Sequence, residues 1–160
     1  YFVLREMVRL KNFRLNFDEI AKNLLFKLTP SEVKEAIHTL EVLGLLSRDS
    51  EGKLVQADPQ IDTQNDVASE ASKRNHEENL ENAKWAIRNV GITEREFSSV
   101  CFSLKTSDLP EAKKMIRMFK NKFMEKFETP HGQGEEVYQL QIQLFPFTKT
   151  NETSEGEDIQ

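Results

Sequence analysis

Few residues in this 160-residue chain are spaced as catalytic or metal-binding residues are, and this applies to its histidines and its cysteine. His76 lies on an apolar helical stripe before Leu80, and no acidic or sulfur ligand accompanies it at metal-binding spacing. The pattern favours a half-buried, hydrogen-bonded histidine over a metal ligand or a pH switch. The single cysteine, Cys101, lies in a strand-like segment and is expected to pack rather than to react. The glycines at 132 and 134 make too short a run for a phosphate-binding loop, and no nucleophile elbow is present, so the sequence predicts no enzyme, no cofactor and no metal site.

A basic stripe is the first candidate for a binding site. Lys113, Arg117 and Lys120 fall at positions i, i+4 and i+7 of a predicted helix, so their side chains share one flank. This stripe is suited to holding an anion or an acidic partner. The alternative is a solvated helix face, which most runs of charge are, and further lysines scattered around the same helix weaken the case for one focused site.

A second set of bases, Lys34, Arg48 and Lys53, lies in the third predicted helix and the hairpin after it. In winged helices that bind DNA, the third helix lies in the major groove, where basic and polar side chains reach phosphates and bases. Here the segment from Thr29 to Gly44 carries one base and three acids, a net charge of minus 2, which opposes phosphate binding. A structural or interaction role is therefore favoured for this unit, and direct DNA contact is the alternative.

The elements that would carry this second set form an N-terminal unit of three helices and a hairpin. Asp18 is the predicted N-cap of the second helix, while Thr29 and Glu32 mark the start of the third as a capping box around a proline. Gly44 ends the third helix, and a turn at residues 50–52 joins two short strands. The positions predicted to face inward are Tyr1, Leu4, Val8, Ile20, Leu24, Leu25, Val33, Ile37, Leu40, Leu43 and Leu45.

A long helix and a strand-helix-strand pattern follow. The polar stretch after Pro59 is typical of a linker, and a helix is predicted from about residue 67 to residue 90. Residues 97–105 and 137–147 alternate apolar with polar side chains, as strands do, and residues 107–128 between them form an amphipathic helical pattern. A helix long enough to return across two strands favours a β-α-β crossover. The stripe predicted for the long helix consists of His76, Leu80, Ala83, Ile87 and Val90.

These elements predict an α+β fold in four segments. They are a winged-helix-like unit at residues 1–58, a linker and long helix at 59–96, a β-α-β unit at 97–148 and an acidic tail at 149–160. Two strands are too few to bury a helix well, so another element or a second copy of the chain is expected to complete the sheet. The pattern therefore predicts a homodimer.

Composition narrows the class of protein further. Apolar residues make up 38% of the chain and charged residues 31%, which is typical of a globular protein, and the formal net charge is minus 5. A single cysteine excludes an internal disulfide, which favours the cytoplasm. No apolar run approaches the roughly 18 residues that span a bilayer, so no membrane segment is expected. The chain opens in a helical pattern without an initiator methionine, which predicts that further residues precede it in a larger protein.

Four stretches resemble a known family: LREMVRL, LEVLGLLSRDSEGKLVQAD, the long helix with Asn75 and His76, and VYQLQIQLFPFT. Over about residues 1–148 the chain resembles a bacterial family of unknown function, found as the C-terminal region of candidate helix-turn-helix transcriptional regulators. The resemblance implies an upstream DNA-reading domain of the lambda-repressor type and a regulatory role for this region. It implies no catalytic residues.

The function predicted from the sequence is therefore a non-catalytic regulatory region of a bacterial transcriptional regulator. It would act as a sensor, a dimerisation surface or a surface for a protein partner, and DNA would be bound through the missing upstream domain. The alternative is a winged helix that binds DNA directly, through Lys34, Arg48 and Lys53.

Overall fold

The computed structural model of the chain describes residues 2–57 and 70–149, except for the side chain of residue 71. Its elements in chain order are α1 (Phe2–Met7), α2 (Phe17–Asn23), α3 (Pro30–Val42), β1 (Leu46–Arg48), β2 (Leu54–Gln56), α4 (Glu70–Asn89), a short 3₁₀-helix (Thr106–Asp108) and α5 (Leu109–Phe127). Helices combined with a two-stranded sheet confirm the α+β class in its coarse form. The predictions for Tyr1, for the linker and helix start at residues 58–69, and for the tail at residues 150–160 lie outside the described residues.

The chain divides into two units. The first unit comprises Tyr1–Cys101 and Phe127–Gln139, and the second comprises Phe102–Lys126 and Leu140–Gln160. The first unit therefore contains the four helices α1 to α4 and the hairpin, and it also takes in a segment that follows α5 in the sequence. The domain limits inferred from the sequence stay a prediction.

The ends of α3 follow from its local sequence. The Thr29 hydroxyl accepts a hydrogen bond from the Glu32 backbone N–H at 3.2 Å, and the Glu32 carboxylate accepts one from the Thr29 N–H at 2.7 Å. These bonds, first from the Thr29 backbone and then from its hydroxyl, lower the pKa of Glu32. At the other end Gly44 adopts a φ of 69°, the left-handed conformation that terminates helices. Both ends of the predicted third helix are confirmed.

The core of the first unit lies around one face of α3. Val33, Ile37 and Leu40 are buried as predicted, whereas Leu24 and Leu45 are only partly buried against the core. The prediction for Leu43 is wrong: it is 64% exposed, because it follows the last helical residue as the C-cap and no longer continues the helical face. The buried apolar residues are Leu4, Met7, Val8, Ile20, Val33, Ala36, Ile37, Leu40, Leu46 and Leu54.

The start and end of α2 differ from the prediction. Its N-cap is Asn16 rather than Asp18, since the Asn16 side-chain oxygen accepts hydrogen bonds from the backbone N–H groups of Asp18 and Glu19, both at 3.1 Å. Leu25 was predicted to face inward, yet it is 61% exposed. The helix ends at Asn23, so the helical spacing that placed Leu25 inward no longer applies.

The predicted hairpin is confirmed. Strands β1 and β2 pair antiparallel with Ser47 opposite Val55. The Asp49 carboxylate accepts hydrogen bonds from the backbone N–H groups of Glu51 and Lys53, both at 2.9 Å, and this Asx turn closes the loop. Three helices followed by a hairpin is the predicted order of elements, and the winged-helix arrangement itself stays a prediction.

The apolar stripe of α4 faces away from the core, contrary to the prediction. Leu80 and Ile87 are 50% and 49% exposed, and His76 is exposed rather than half-buried. Of the predicted stripe, Ala83 and Val90 alone are half-buried.

One aromatic contact within the first unit explains which side of α4 the stripe occupies. The ring of Trp85 packs edge-on against the ring of Phe26, with 5.3 Å between the ring centroids. Residues two positions apart lie about 200° apart around an α-helix. A helix that turns Trp85 toward Phe26 therefore turns Ile87 to the opposite side.

The second half of the chain contains the predicted helix, but its described residues form neither of the two predicted strands. Helix α5 corresponds to the helix predicted at residues 107–128, with small shifts at both ends. Residues 95–105 and 137–146 form no strand within the described chain, so the β-α-β arrangement is not confirmed. A strand exists only where another strand pairs with it, and the alternating pattern of a segment does not provide that second strand.

Substituting Leu40 tests the core. Leu40 is 2% exposed, so Leu40→Ala is expected to lower the free energy of unfolding by about 2 to 5 kcal/mol. The matched control is Leu43→Ala, the same change one turn further at an exposed position, which should cost less than about 0.5 kcal/mol. Chemical denaturation of both variants measures the difference. An equal loss of unfolding free energy in the two variants would contradict the placement of Leu40 in the core.

Candidate interaction surfaces

A contact between distant parts of the sequence involves Arg9, just after α1. Its guanidinium donates to the carboxylate of Glu128 and, at 2.6 Å, to the carbonyl oxygen of Thr129. The Glu6 carboxylate lies 3.5 Å from the same guanidinium and adds a second negative charge. We call this contact between residues 9–11 and residues 128–135 the Arg9 clip.

Backbone hydrogen bonds complete the Arg9 clip. The Gly132 N–H donates to the Arg9 carbonyl, and the Lys11 N–H donates to the Gly134 carbonyl, both at 2.9 Å. Gly132 has a φ of 77°, and a Cβ on Gly134 would lie 3.1 Å from the Thr129 hydroxyl oxygen. The two glycines that are too closely spaced for a phosphate loop therefore serve to bring the chain back against α1.

An ion pair and a small cavity lie beside the clip. The Lys11 ammonium is 2.5 Å from the Glu135 carboxylate, and this hydrogen bond, followed by the lysine charge, lowers the pKa of Glu135. The adjacent cavity, lined in part by Met7, Phe13 and Ile20, measures about 160 Å³. Small-molecule sites usually enclose roughly 300 to 1,000 Å³, so this cavity is smaller than a typical ligand site.

Sequence reasoning missed the Arg9 clip. Arg9 and Glu128 are 119 residues apart, and both look like ordinary exposed charges when the sequence is read locally. The available signal was the pair of glycines at 132 and 134, which indicated a special backbone conformation without naming its partner.

Two of the three bases in the candidate DNA-contact set are paired with acids. The Arg48 guanidinium donates to Glu41 on α3 at 2.9 Å and to the Gly52 carbonyl at 3.3 Å. The Lys53 ammonium lies 2.6 Å from the Glu51 carboxylate, and this hydrogen bond, then the charges of Glu51 and Asp49, raise the pKa of Lys53. Neighbouring carboxylates thus neutralise the positive charge of the hairpin.

The third member of this set, Lys34, is exposed on α3. The acids Glu32 and Glu35 flank it in the sequence of the same helix. The negative balance of the helix therefore persists in the folded chain.

The basic stripe predicted on α5 occupies the less exposed side of that helix. Lys113, Arg117 and Lys120 are each half-buried, as are Ile116 and Phe123 on the same side. The stripe therefore combines positive charge with apolar surface. Binding of an anion or an acidic partner by this stripe stays a prediction, as does the alternative of a solvated helix face.

The remaining candidates are dispersed. Cys101 is exposed, so the prediction that it packs is wrong for the single chain, and His76 is exposed on α4. Within residues 2–57 and 70–149, no group of three or more histidine, cysteine or acidic side chains is arranged to hold a metal ion. No helix among those residues has the length and apolar character needed to cross a membrane.

Removing the Arg9 side chain tests the clip. Arg9→Ala deletes two charge-assisted hydrogen bonds to residues 128 and 129, and we expect the amide hydrogens of Lys11 and Gly132 to exchange roughly tenfold faster. Hydrogen exchange followed by NMR measures these rates. Arg14→Ala removes an exposed cation outside the clip and should leave both rates unchanged. Identical exchange in the two variants would show that Arg9 does not hold this segment.

One comparison with known proteins gives a match. A family model described as a domain of unknown function (DUF4423) matches residues 1–147 of the chain. No curated protein and no solved structure matches the chain significantly.

Proposed function

The chain belongs to the DUF4423 family of domains of unknown function, and we propose that it is a non-catalytic regulatory region of a bacterial transcriptional regulator in the cytoplasm. The resemblance of its sequence motifs to regions that follow a helix-turn-helix domain supports this role. In the proposed arrangement the upstream domain reads DNA, and this chain supplies a surface for sensing, dimerisation or a protein partner.

The observation that carries the proposal is exposed apolar surface in helical register. On α4, Leu80 and Ile87 lie about two turns apart on the side opposite Trp85, and about half of each side chain is exposed. Single exposed apolar residues are ordinary, but large apolar side chains exposed on the same face of one helix are more typical of an interaction site. The stripe on α4 therefore supports a role in association with another macromolecule.

Direct DNA binding by the winged-helix-like unit is the alternative, and electrostatics disfavours it. Affinity for duplex DNA comes mainly from basic side chains that replace counterions at phosphates. Arg48 and Lys53 already pair with Glu41 and Glu51, and the whole chain has a formal net charge of minus 5. Phosphates would have to compete with these carboxylates.

A DNA titration separates the two functions. We expect the full chain to bind duplex DNA only weakly at about 50 mM salt and not measurably at about 150 mM, because few phosphates are neutralised. The triple variant Lys34→Ala, Arg48→Ala, Lys53→Ala should bind as the parent chain does. Fluorescence anisotropy at both salt concentrations gives the affinities. Tight binding that survives about 150 mM salt and disappears in the triple variant would establish the alternative.

A reporter assay tests the regulatory role. The chain is fused behind a helix-turn-helix domain of known operator, and transcription from that operator is measured. We expect repression to require the chain and to fall roughly tenfold, equivalent to about 1.4 kcal/mol, in the double variant Leu80→Lys, Ile87→Lys. Val42→Lys places one lysine at a 72% exposed position on α3 and should leave repression unchanged. Repression that is indifferent to the presence of the chain would refute the role.

A further inference from the structure

The three bases of the stripe on α5 lie on a side of the helix that carries none of its acids. Successive residues are turned by about 100° around an α-helix. Lys113, Arg117 and Lys120 therefore fall within about 60° of one another. Glu111 and Glu125, the two acids of α5, lie at least about 80° from the nearest of these bases. The stripe thus places three positive charges on a side from which both acids of the helix are absent.

The stripe is also better shielded from water than the rest of the positive charge on α5. Lys113, Arg117 and Lys120 are half-buried, whereas the other three lysines of the helix are exposed, and one of these, Lys114, lies 3.9 Å from Glu111. Salt screens an ion pair less when the pair is partly buried. An acid that approaches the stripe therefore gains more than an acid at the exposed lysines.

An acidic segment of matching charge follows the last described residues of the second unit in the sequence. Residues 150–160, TNETSEGEDIQ, contain no base and four acids within seven positions: Glu152, Glu155, Glu157 and Asp158. Helix α5 contains six bases and two acids, a formal charge of plus 4 against minus 4 for the acidic segment. The two segments are therefore complementary in both the sign and the amount of their charge.

The acidic segment is long enough to reach the stripe. Residues 140–149 belong to the same compact unit as residues 102–126, so the segment leaves the chain from the unit that contains most of α5. The nine residues from 150 to 158 span about 30 Å when extended, and the 19 residues of α5 are about 28 Å long. The acids can therefore reach the stripe from any point along α5.

Attachment to the same chain favours this occupant over an acidic molecule from solution. A short flexible linker holds a segment at an effective concentration in the millimolar range. Ion pairs at a protein surface are individually weak, so a separate acidic peptide needs a comparable concentration to compete. Residues 58–69 are a second acidic stretch, with the three acids Asp58, Asp62 and Asp66, but they belong to the first unit and their acids are spread over nine positions.

We infer that residues 150–158 bind to the basic stripe of α5 through ion pairs between their four acids and Lys113, Arg117 and Lys120, and that they exclude other anions from it. The inference goes beyond the proposed function and does not depend on it. An anionic partner gains the stripe only by displacing the acidic segment or after the charge of that segment has been neutralised.

A spin label on the acidic segment tests the contact in the full chain. The label is attached at Gly156→Cys in a chain whose own cysteine is removed by Cys101→Ser, and the loss of NMR signal that it causes is measured along α5. We expect the amides of residues 113–120 to lose signal at about 50 mM salt and to recover it at about 500 mM, because salt screens ion pairs.

Two charge reversals on one helix provide the matched comparison. Lys120→Glu changes the stripe, and Lys122→Glu makes the same change about 200° around α5. Lys120→Glu should reduce the signal loss at least roughly twofold, and Lys122→Glu should leave it unchanged. Neutralising the acidic segment leaves α5 unaltered and should abolish the salt-dependent loss. That variant carries Glu152→Gln, Glu155→Gln, Glu157→Gln and Asp158→Asn.

Three outcomes overturn the inference. They are the absence of a salt-dependent signal loss at residues 113–120, an equal effect of Lys120→Glu and Lys122→Glu, and a signal loss that persists when the acidic segment is neutralised. The variant Asp58→Asn, Asp62→Asn, Asp66→Asn serves as a further control and should behave as the parent chain. If this variant alone abolished the signal loss, the stripe would be occupied by residues 58–69 instead.

Exclusion of other anions is measured with inorganic polyphosphate as the probe. At about 50 mM salt, neutralising the acidic segment should raise the affinity for polyphosphate at least roughly fivefold over the parent chain. The control with three neutralised acids in residues 58–69 has a formal net charge of minus 2, against minus 1 for the neutralised segment, and should bind close to the parent chain. An equal gain in the two variants would show that net charge alone governs access, and would overturn the exclusion.

Discussion

The first unit depends on the burial of one face of α3. Val33 and Leu40 on this face are almost completely removed from water, and α1, α2 and β1 all pack against it. The hydrophobic effect orients these elements only because α3 has well-defined ends, which keep its apolar residues on one face. The capping box at Thr29 and the left-handed Gly44 define those ends. A few local hydrogen bonds and one backbone conformation therefore decide where the core forms.

Local signals in the sequence sufficed for features that local interactions decide. The third helix, its capping box and the hairpin turn were predictable because each depends on residues within one or two turns. The exposure of Leu43 was not predictable, because the helix ends at the residue before it. The exposure of the stripe on α4 was not predictable either, because the contact of Trp85 with Phe26 turns the stripe away from the core. The strand patterns after residue 95 are features of a third kind, because they depend on a second strand. They describe what each segment could pair with, and among the described residues no strand pairs with them.

The candidate sites show the same division between pattern and context. Lys34, Arg48 and Lys53 were identified as cations by type, but whether a cation is available to phosphate depends on its neighbours, and Arg48 and Lys53 have carboxylates within hydrogen-bond distance. The stripe of Lys113, Arg117 and Lys120 followed from helical spacing, whereas its partial burial did not. The Arg9 clip joins residues that no local pattern connects.

The separation of its two halves along the sequence gives the Arg9 clip a consequence for folding kinetics. Closing a loop of about 120 residues costs on the order of 4 kcal/mol of chain entropy before any contact within it forms. All ten buried residues of the core around α3 lie within residues 2–57, so this core can collapse while the ribosome is still making α5. Arg9 can form the clip only after residues 128–135 have left the ribosome. The docking of residues 128–135 is therefore expected to be a late step in the folding of the first unit, after residues 102–126 have been synthesised.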